Sequence, residues 1–379
     1  MSKKVPQYLV KVDGAELSSE DDSALQSITV DLRRTAPGSA ELTFNNNANA
    51  DQTGKAVGRY DSHDLFKPGS VIEVFIGYAE DPDSERHDAT GKIKIFEGEV
   101  VGTRQRVFEN SPRSFIVQAF DYLHRLTRGR KTRTFLDQKF SDIVSTAGQD
   151  WGLSVDAEDT AFVRDYVIQH NQTDLDFARG IAGWLDFDLH IRHLDDPKLL
   201  RFRTPDVASD AVVVAAYEKP KVPEETYLRK FDGRQSLARV VSEVTVRGWD
   251  PTQKREIIGV AAASQLYDKM GDTASGVEEV TDKWGEPDRQ LVDYKVFSQE
   301  EADKIARTKL NEYARTFIRA DVEIQGHPLV HPGANVELKL IGKRYSGKYF
   351  VESVTHRFTS KVDVGEGYTT RFTAARCGW

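Results

Sequence analysis

The stretch Phe66-Lys67-Pro68-Gly69-Ser70-Val71-Ile72-Glu73-Val74-Phe75-Ile76 returns near the other end of the chain as Val330-His331-Pro332-Gly333-Ala334-Asn335-Val336-Glu337-Leu338-Lys339-Leu340. In each copy a Pro-Gly turn launches an alternating segment, Ile72, Val74 and Ile76 against Glu73, and Val336, Leu338 and Leu340 against Glu337 and Lys339. A period of two is that of a strand with one buried face. The next strand repeats as well. Phe96-Glu97-Gly98-Glu99-Val100 is answered by Tyr345-Ser346-Gly347-Lys348-Tyr349, an aromatic two residues before a Gly that permits a bend or a close neighbour. The offsets of 264 (332 minus 68) and 249 (347 minus 98) differ as loop lengths differ, Asp81-Pro82-Asp83-Ser84-Glu85 having a place only in the first copy. The chain reads as one β-unit used twice, and three copies of it would set six related units about an axis.

Composition bounds the rest. At 379 residues and 42.7 kDa the chain is long enough for about two to four compact units. Hydrophobic residues at 39%, charged at 30% and aromatic at 10% describe ordinary globular material. No apolar run approaches the roughly 20 residues that span a bilayer, and Met1-Ser2-Lys3-Lys4-Val5-Pro6 has no apolar signal core behind it. Manufacture and retention in the cytoplasm are expected, with no membrane insertion. The single Cys377 excludes a disulfide framework and a Cys-rich zinc site. A net charge of -8 argues against nucleic acid as a primary partner, since phosphate binding needs clustered cations. The one basic cluster, Arg125-Leu126-Thr127-Arg128-Gly129-Arg130-Lys131-Thr132-Arg133, fits a solvated turn or a protein contact better than a phosphate track.

Along the chain, residues 1–120 read as short strands between turns (28–32, 40–44, 72–76, 93–101 and 115–120), a small antiparallel barrel or sandwich. The polar stretch 45–54 makes an exposed loop. Between 121 and 205 the period changes. Ser141 is placed to cap a helix with Ile143, Val144, Ala147 and Trp151 on one face, stopped at Gly152. Thr173 and Asp176 have capping-box spacing ahead of the stripe Leu175, Ala178, Ile181, Ala182 and Leu185. A hairpin follows, with Leu185, Phe187, Leu189 and Ile191 alternating with polar residues, a turn at Asp195-Asp196-Pro197, and Leu200 and Phe202 on the way back.

Residues 206–235, with Pro205, Pro220 and Pro223, read as a linker, and 236–379 as the second barrel. Val240, Val244 and Val246 share a strand face that ends at the turn Gly248-Trp249-Asp250-Pro251. Residues 261–297 carry little periodicity and form a long excursion. A helix over 299–316 opens on a Ser298–Glu301 capping box and buries Ala302, Ile305, Ala306, Leu310, Tyr313 and Ala314. Strands at 318–324, 336–340, 349–354 and 368–374 complete the unit.

Tyr166-Val167-Ile168-Gln169-His170-Asn171-Gln172-Thr173-Asp174-Leu175-Asp176-Phe177 resembles the late control D family of contractile phage tails, the baseplate hub, homologous to the N-terminal part of the VgrG proteins of type VI secretion. The resemblance continues in Phe96-Glu97-Gly98, Phe120 to Leu126, Arg247-Gly248-Trp249-Asp250, Gly326-His327-Pro328-Leu329 with Pro332-Gly333, Ser346-Gly347-Lys348-Tyr349 through His356, and Gly367 to Phe372. It implies an α+β, mainly β chain of two similar small antiparallel β-barrels with an α+β insertion, assembling as a pseudo-hexameric trimer ring between a hexameric tail tube and a trimeric spike. The chain ends at Arg376-Cys377-Gly378-Trp379 without a spike repeat, so a separate spike protein is expected, with wedge proteins as further partners. The residues carried by the motifs, structural or at an interface, are Gln169, Asn171, Asp174, Phe177, Trp249, Gly347 and Tyr349.

No catalytic, cofactor or metal site is expected. The carboxylate pairs Asp186/Asp188 and Asp321/Glu323 have a spacing usable for peptidoglycan cleavage but read as solvated strand faces. His190 and His193 should point to opposite strand faces and His327 and His331 flank a turn, a structural pattern rather than a ligand set. There is no phosphate loop and no nucleophile elbow. Asn171 and Asp174 are expected to satisfy backbone donors at the helix start. Trp249 is left as a buried anchor or an interface residue.

Overall fold

The computed structural model describes residues 5–50, 56–61, 64–79, 91–109, 112–194, 196–218, 225–285, 288–291, 296–360 and 367–379. The loops expected at 81–85 and, in part, at 45–54 lie outside them, as does Asp195 of the expected turn. Besides three short strands of two or three residues, six longer ones open the chain: β1 (Val5–Val12), β2 (Leu25–Arg33), β3 (Ala36–Asn45), β4 (Val71–Ala79), β5 (Lys92–Arg106) and β6 (Ser114–Phe120). They pair antiparallel in the order β1-β4-β5-β6-β3-β2. Alternate residues fill one core, and Ile28, Val30, Leu42, Phe44, Ile72, Val74 and Ile76 are fully buried. Strand β1 is new relative to the sequence reading. Gln7, Tyr8, Leu9 and Val10 are all buried, so this strand lacks the period of two by which the others were recognised.

The insertion carries β7 (Lys131–Lys139), α1 (Phe140–Gln149), β8 (Ser154–Ala157), β9 (Val163–Gln172), α2 (Asp174–Leu185), β10 (Asp188–Ile191) and β11 (Leu199–Arg203). Strands β7 and β9 form a separate antiparallel ribbon, and β8, β11 and β10 a small mixed sheet. Ser141 does not cap α1. The helix starts two residues earlier, after Lys139 with no side-chain cap, and buried Ser141 instead donates its backbone N–H to Thr160 Oγ1 at 3.3 Å. Leu185 ends α2 and does not begin the hairpin. Asp186 takes a left-handed conformation (φ +50°), and all four residues of β10 are buried, since the strand is covered on both faces.

The remainder comprises β12 (Ala211–Ala216), β13 (Glu225–Gln235), an excursion of β14 (Glu243–Asp250), β15 (Arg255–Ala262), α3 (Gly276–Trp284) and α4 (Gln299–Ala314), then β16 (Ile318–Gln325), β17 (Asn335–Lys339), β18 (Gly347–Thr359) and β19 (Tyr368–Arg376). The segment 206–235 is therefore not a plain linker. Ala211-Val212-Val213-Val214-Ala215-Ala216 lies parallel to both neighbours inside the sheet, where a continuous apolar run replaces alternation. Residues 261–297 also hold more order than expected. Helix α3 starts on a Ser275–Glu278 capping box but buries only Val277 and Val280 besides Gly276, too few for a visible stripe. In α4, Ser298 accepts the N–H of Glu301 as expected, while the Glu301 carboxylate takes the N–H of Phe297 at 3.0 Å.

Strands β12, β17, β18, β19, β16 and β13 are each bonded to the next, and β13 returns to β12, closing a six-stranded barrel. Apart from β12, its pairings are antiparallel. This order is that of the first unit when β1 to β6 are set against β12, β13, β16, β17, β18 and β19. Smaller details repeat as well. Gly69 donates to Val100 O (2.8 Å) and Val100 donates back to Ser70 O (2.8 Å), while Gly333 donates to Val351 O (2.9 Å) and Val351 back to Ala334 O (2.9 Å). Both turn glycines have positive φ, +92° and +83°. A bulge between Val100 and Gly102 has its counterpart between Val351 and Ser353, and one between Leu25 and Ser27 its counterpart between Leu228 and Lys230.

These equivalences correct one expected match. Val100 corresponds to Val351, an offset of 251 (351 minus 100), so Gly98 matches Tyr349 and Gly347 matches Phe96. A slip of two residues keeps each side chain on its own face, and the sequence pattern is blind to it. The two units are fused by one strand. Residues 347–350 of β18 pair with β17, and Ser353–Thr359 pair with β2, so the barrel and the first sheet are one continuous structure.

Candidate functional site

Two surfaces stand out, the first of them carrying Gln169, Asn171, Asp174 and Phe177. The first is the base of the β7–β9 ribbon. Asp174, the first residue of α2, is 1% exposed and sits under Lys131 (2.7 Å), Arg133 (3.0 Å), the Trp151 indole N–H (2.7 Å) and the Gln169 amide (2.9 Å). Burial alone would raise its pKa. The hydrogen bonds from Lys131, Trp151 and Gln169 and the Arg133 charge outweigh this and hold it below the ordinary carboxylate value. Gln169 is fully buried and also accepts from Arg133 Nε at 2.8 Å. Phe177 stacks on Phe135 with ring centroids 5.8 Å apart.

The helix start is satisfied by Thr173, which accepts the Asp176 N–H at 3.0 Å, not by Asn171 or Asp174. Asn171 contributes backbone geometry. Its φ is +46°, its carbonyl accepts from Arg130 (2.8 Å) and its N–H donates to Thr132 Oγ1 (3.1 Å). The basic cluster is largely committed to this scaffold, with Arg125 bound to Glu99 at 2.6 Å and Lys131 and Arg133 to Asp150 and Asp174. The outer face of the ribbon exposes Leu136, Tyr166 and Ile168.

The second surface is the outward face of the continuous sheet. The alternation that buries Val30, Val354, Phe372 and Val322 turns Asp31, Thr355, Arg371 and Glu323 outward. Three shallow grooves run along this face, lined by Asp31, Arg33 and Thr355, then Lys230, Glu323 and Arg371, then Asp232, Arg234 and Arg319. Ser353, Asp321, Glu352 and Thr373 are each shared by two of them, so they form one polar surface crossing the junction of the two units. Its groups are mutually satisfied: Thr355 donates to Asp31 across the junction, the Ser353 and Thr373 hydroxyls are 2.7 Å apart, and Arg371 donates to Glu323 at 2.8 Å. Its exposed side chains are of mixed charge.

The remaining three residues lie elsewhere. Gly347 (φ +134°) leaves room for the guanidinium of buried Arg376, which lies over the ring of fully buried Tyr349. Trp249 is 55% exposed on β14, so it is not a buried anchor within the chain.

Three of the four carboxylates in the acidic pairs are held by arginines. Asp186 and Asp188 both engage Arg34, Asp186 also engages Arg315, and Glu323 holds Arg371. The histidines come together in a way the sequence did not show. His190, His193, His331 and His356 line one small cavity where the two units and the insertion meet. His193 Nδ1 accepts from Glu97 N–H (3.2 Å), and His356 lies between Val330 O (3.0 Å) and the Tyr368 hydroxyl (2.9 Å). Among the described residues no group of three His, Cys, Asp or Glu side chains is arranged to hold a metal ion.

A search of curated proteins finds no match to the sequence. Among solved structures the fold is similar to the 43 kDa tail protein of prophage MuSo2 from Shewanella oneidensis, at TM-score 0.63 and 12% identity over 98% of both chains. It is equally similar to a tail protein from Neisseria meningitidis MC58, at TM-score 0.63 and 13% identity over 98% of this chain and 96% of that one. An E. coli protein described as a component of the type VI secretion system follows at TM-score 0.56 and 11% identity, over 98% of this chain and 78% of that one. Identities this low establish a shared fold, that of phage tail proteins. Residues 2–360 match the family model described as the Alg8 N-terminal domain, nearly the whole length, and the chain belongs to that family.

Proposed function

We propose that the chain is a structural baseplate hub of a contractile injection system, of the late control D type, working by shape and symmetry without catalysis. Three copies form a ring in which the two units of each chain stand as six similar modules around an axial channel. The ring joins a hexameric tail tube to a trimeric spike protein, with wedge proteins around it. It assembles in the cytoplasm of the producing cell and ends in the baseplate of a phage tail, tailocin or related particle. Membership of the Alg8 N-terminal domain family assigns no ligand or partner to these residues.

One observation carries the reading: the same six-strand order, with matching bulges and turn hydrogen bonds, occurs twice in one chain. A duplicated module is what lets a threefold object match a sixfold one. The polar face crossing both units supplies the channel wall, since its grooves are lined by residues of both units. Co-expression with the neighbouring genes, followed by light scattering and electron microscopy, tests it. A trimer near 128 kDa (three times 42.7) with six similar densities around a bore is expected. A chain that stays monomeric with every neighbour, or a ring whose bore is lined by one unit only, overturns it.

A further inference from the structure

We propose that copies of this chain join edge to edge, β13 of one copy pairing antiparallel with residues 102–108 in and beyond β5 of the next, which repeats between chains the seam that β2 and β18 make within one. The inference rests on the ring reading above and adds the surface and its register.

Within a chain, Ser27–Arg33 of β2 pairs with Ser353–Thr359 of β18. The duplication gives each segment a counterpart. Shared bulges carry β18 onto β5 at the offset of 251, and β2 onto β13 at an offset of 203 (228 minus 25). The counterparts, 102–108 and 230–236, are where strand edges go unused. Strand β4 pairs with β5 only as far as Glu99, and β12 pairs with β13 only at Glu225–Tyr227. Among the described residues no strand pairs with either edge beyond those points. An open edge of this length is a template for another chain.

The side chains fit the same conclusion. Phe358 faces Ile28 in the internal seam and is 7% exposed, whereas its counterpart Val107 is 55% exposed and the next residue, Phe108, 62%. In the transferred register Val107 meets Phe231. Arg357 faces Thr29 internally, and the transferred pair is Arg106 with Asp232, of opposite charge. Arg104 falls opposite Arg234, each with an acid at hand, Glu41 at 3.8 Å from Arg104 and Asp321 in the groove beside Arg234. Each chain has one edge of each kind, so the contact is head to tail, the kind that forms a ring when the rotation between copies closes. Three internal and three external seams would then make one continuous wall.

Opposed Cα atoms in an antiparallel pair lie about 4.5–5.5 Å apart, within disulfide reach. The test is Arg106→Cys with Asp232→Cys in the full chain, co-expressed with its neighbours. Cys377 is buried and does not compete. Thr29→Cys with Arg357→Cys, the internal counterpart, controls for geometry and should oxidise within single chains. Oxidation of the assembled ring should convert the 106/232 variant to a covalent trimer on a non-reducing gel. A ring that forms, with the internal pair oxidised but the 106/232 pair leaving single chains, overturns the seam and spares the hub reading. No ring in any context overturns both. Should the double variant fail to fold, hydrogen exchange on the wild type decides: amides of 103–108 protected only in the ring support the seam, and unprotected amides there overturn it.

Discussion

Gly347 stands where a Cβ atom would fall 2.7 Å from the guanidinium of Arg376. Arg376 is 1% exposed, donates to Ser346 O (2.8 Å) and Met270 O (2.7 Å), and ties the end of β19 to the start of β18 and to the excursion. Gly347→Ala would push this buried cation off its acceptors and force an alanine to φ +134°. A loss of roughly 3–5 kcal/mol is expected, as for breaking a buried charged contact, measured by urea unfolding.

Asp174→Asn keeps the volume but removes the charge shared by Lys131 and Arg133. Since those two cations are partly solvated, the expected cost is on the order of 2–3 kcal/mol. Lys131→Met should cost less, because Arg133, Trp151 and Gln169 still hold the carboxylate. Equal losses for the two variants in denaturant melts would contradict the arrangement described.

At position 171 backbone conformation decides the outcome. With φ at +46°, Asn171→Gly should be nearly neutral and Asn171→Val should destabilise by about 1–2 kcal/mol. Thermal melts of the two variants compare them directly.

Acid should loosen the junction of the two units. Burial pushes the pKa of His331 down to about 3 and that of His356 down to about 4. In the unfolded chain both return to about 6.5, so between pH 6.5 and 4 the unfolded state binds protons that the native state refuses. Stability should be flat above pH 7 and fall by roughly 1.4 kcal/mol per pH unit for each histidine below 6.5. Urea midpoints at pH 7.5, 5.5 and 4.5 read the slope, and His356→Gln should reduce it by one histidine's share, leaving that of His331.

The alternating strands from Ile28 to Phe120 and from Ile318 to Ala374 were legible because each has one wet face, as were α2 and α4 with their capped apolar stripes. Strands β1 and β10 were not, because consecutive residues in each are buried, and burial on both sides erases the period that marks a strand. Strand β12 was not, because all six of its residues are apolar although Val212 stays exposed. The duplication was visible at Pro68-Gly69 and Pro332-Gly333 because those turns demand particular residues, while its register was hidden by the two-residue degeneracy of a pleat. The helix opening after Thr173 was legible, but the role of Asp174 was not, since its partners Lys131 and Trp151 lie about 40 and 20 residues upstream in a sequence that does not say which loops meet.

Strand β18 runs unbroken for 13 residues through both units. A tether of flexible residues would let one body swivel against the other and absorb a push as rotation. A shared strand transmits it as tension and shear along covalent bonds and a ladder of amides. A structure joined this way is stiffer at the meeting point of its two halves than one joined by a flexible tether.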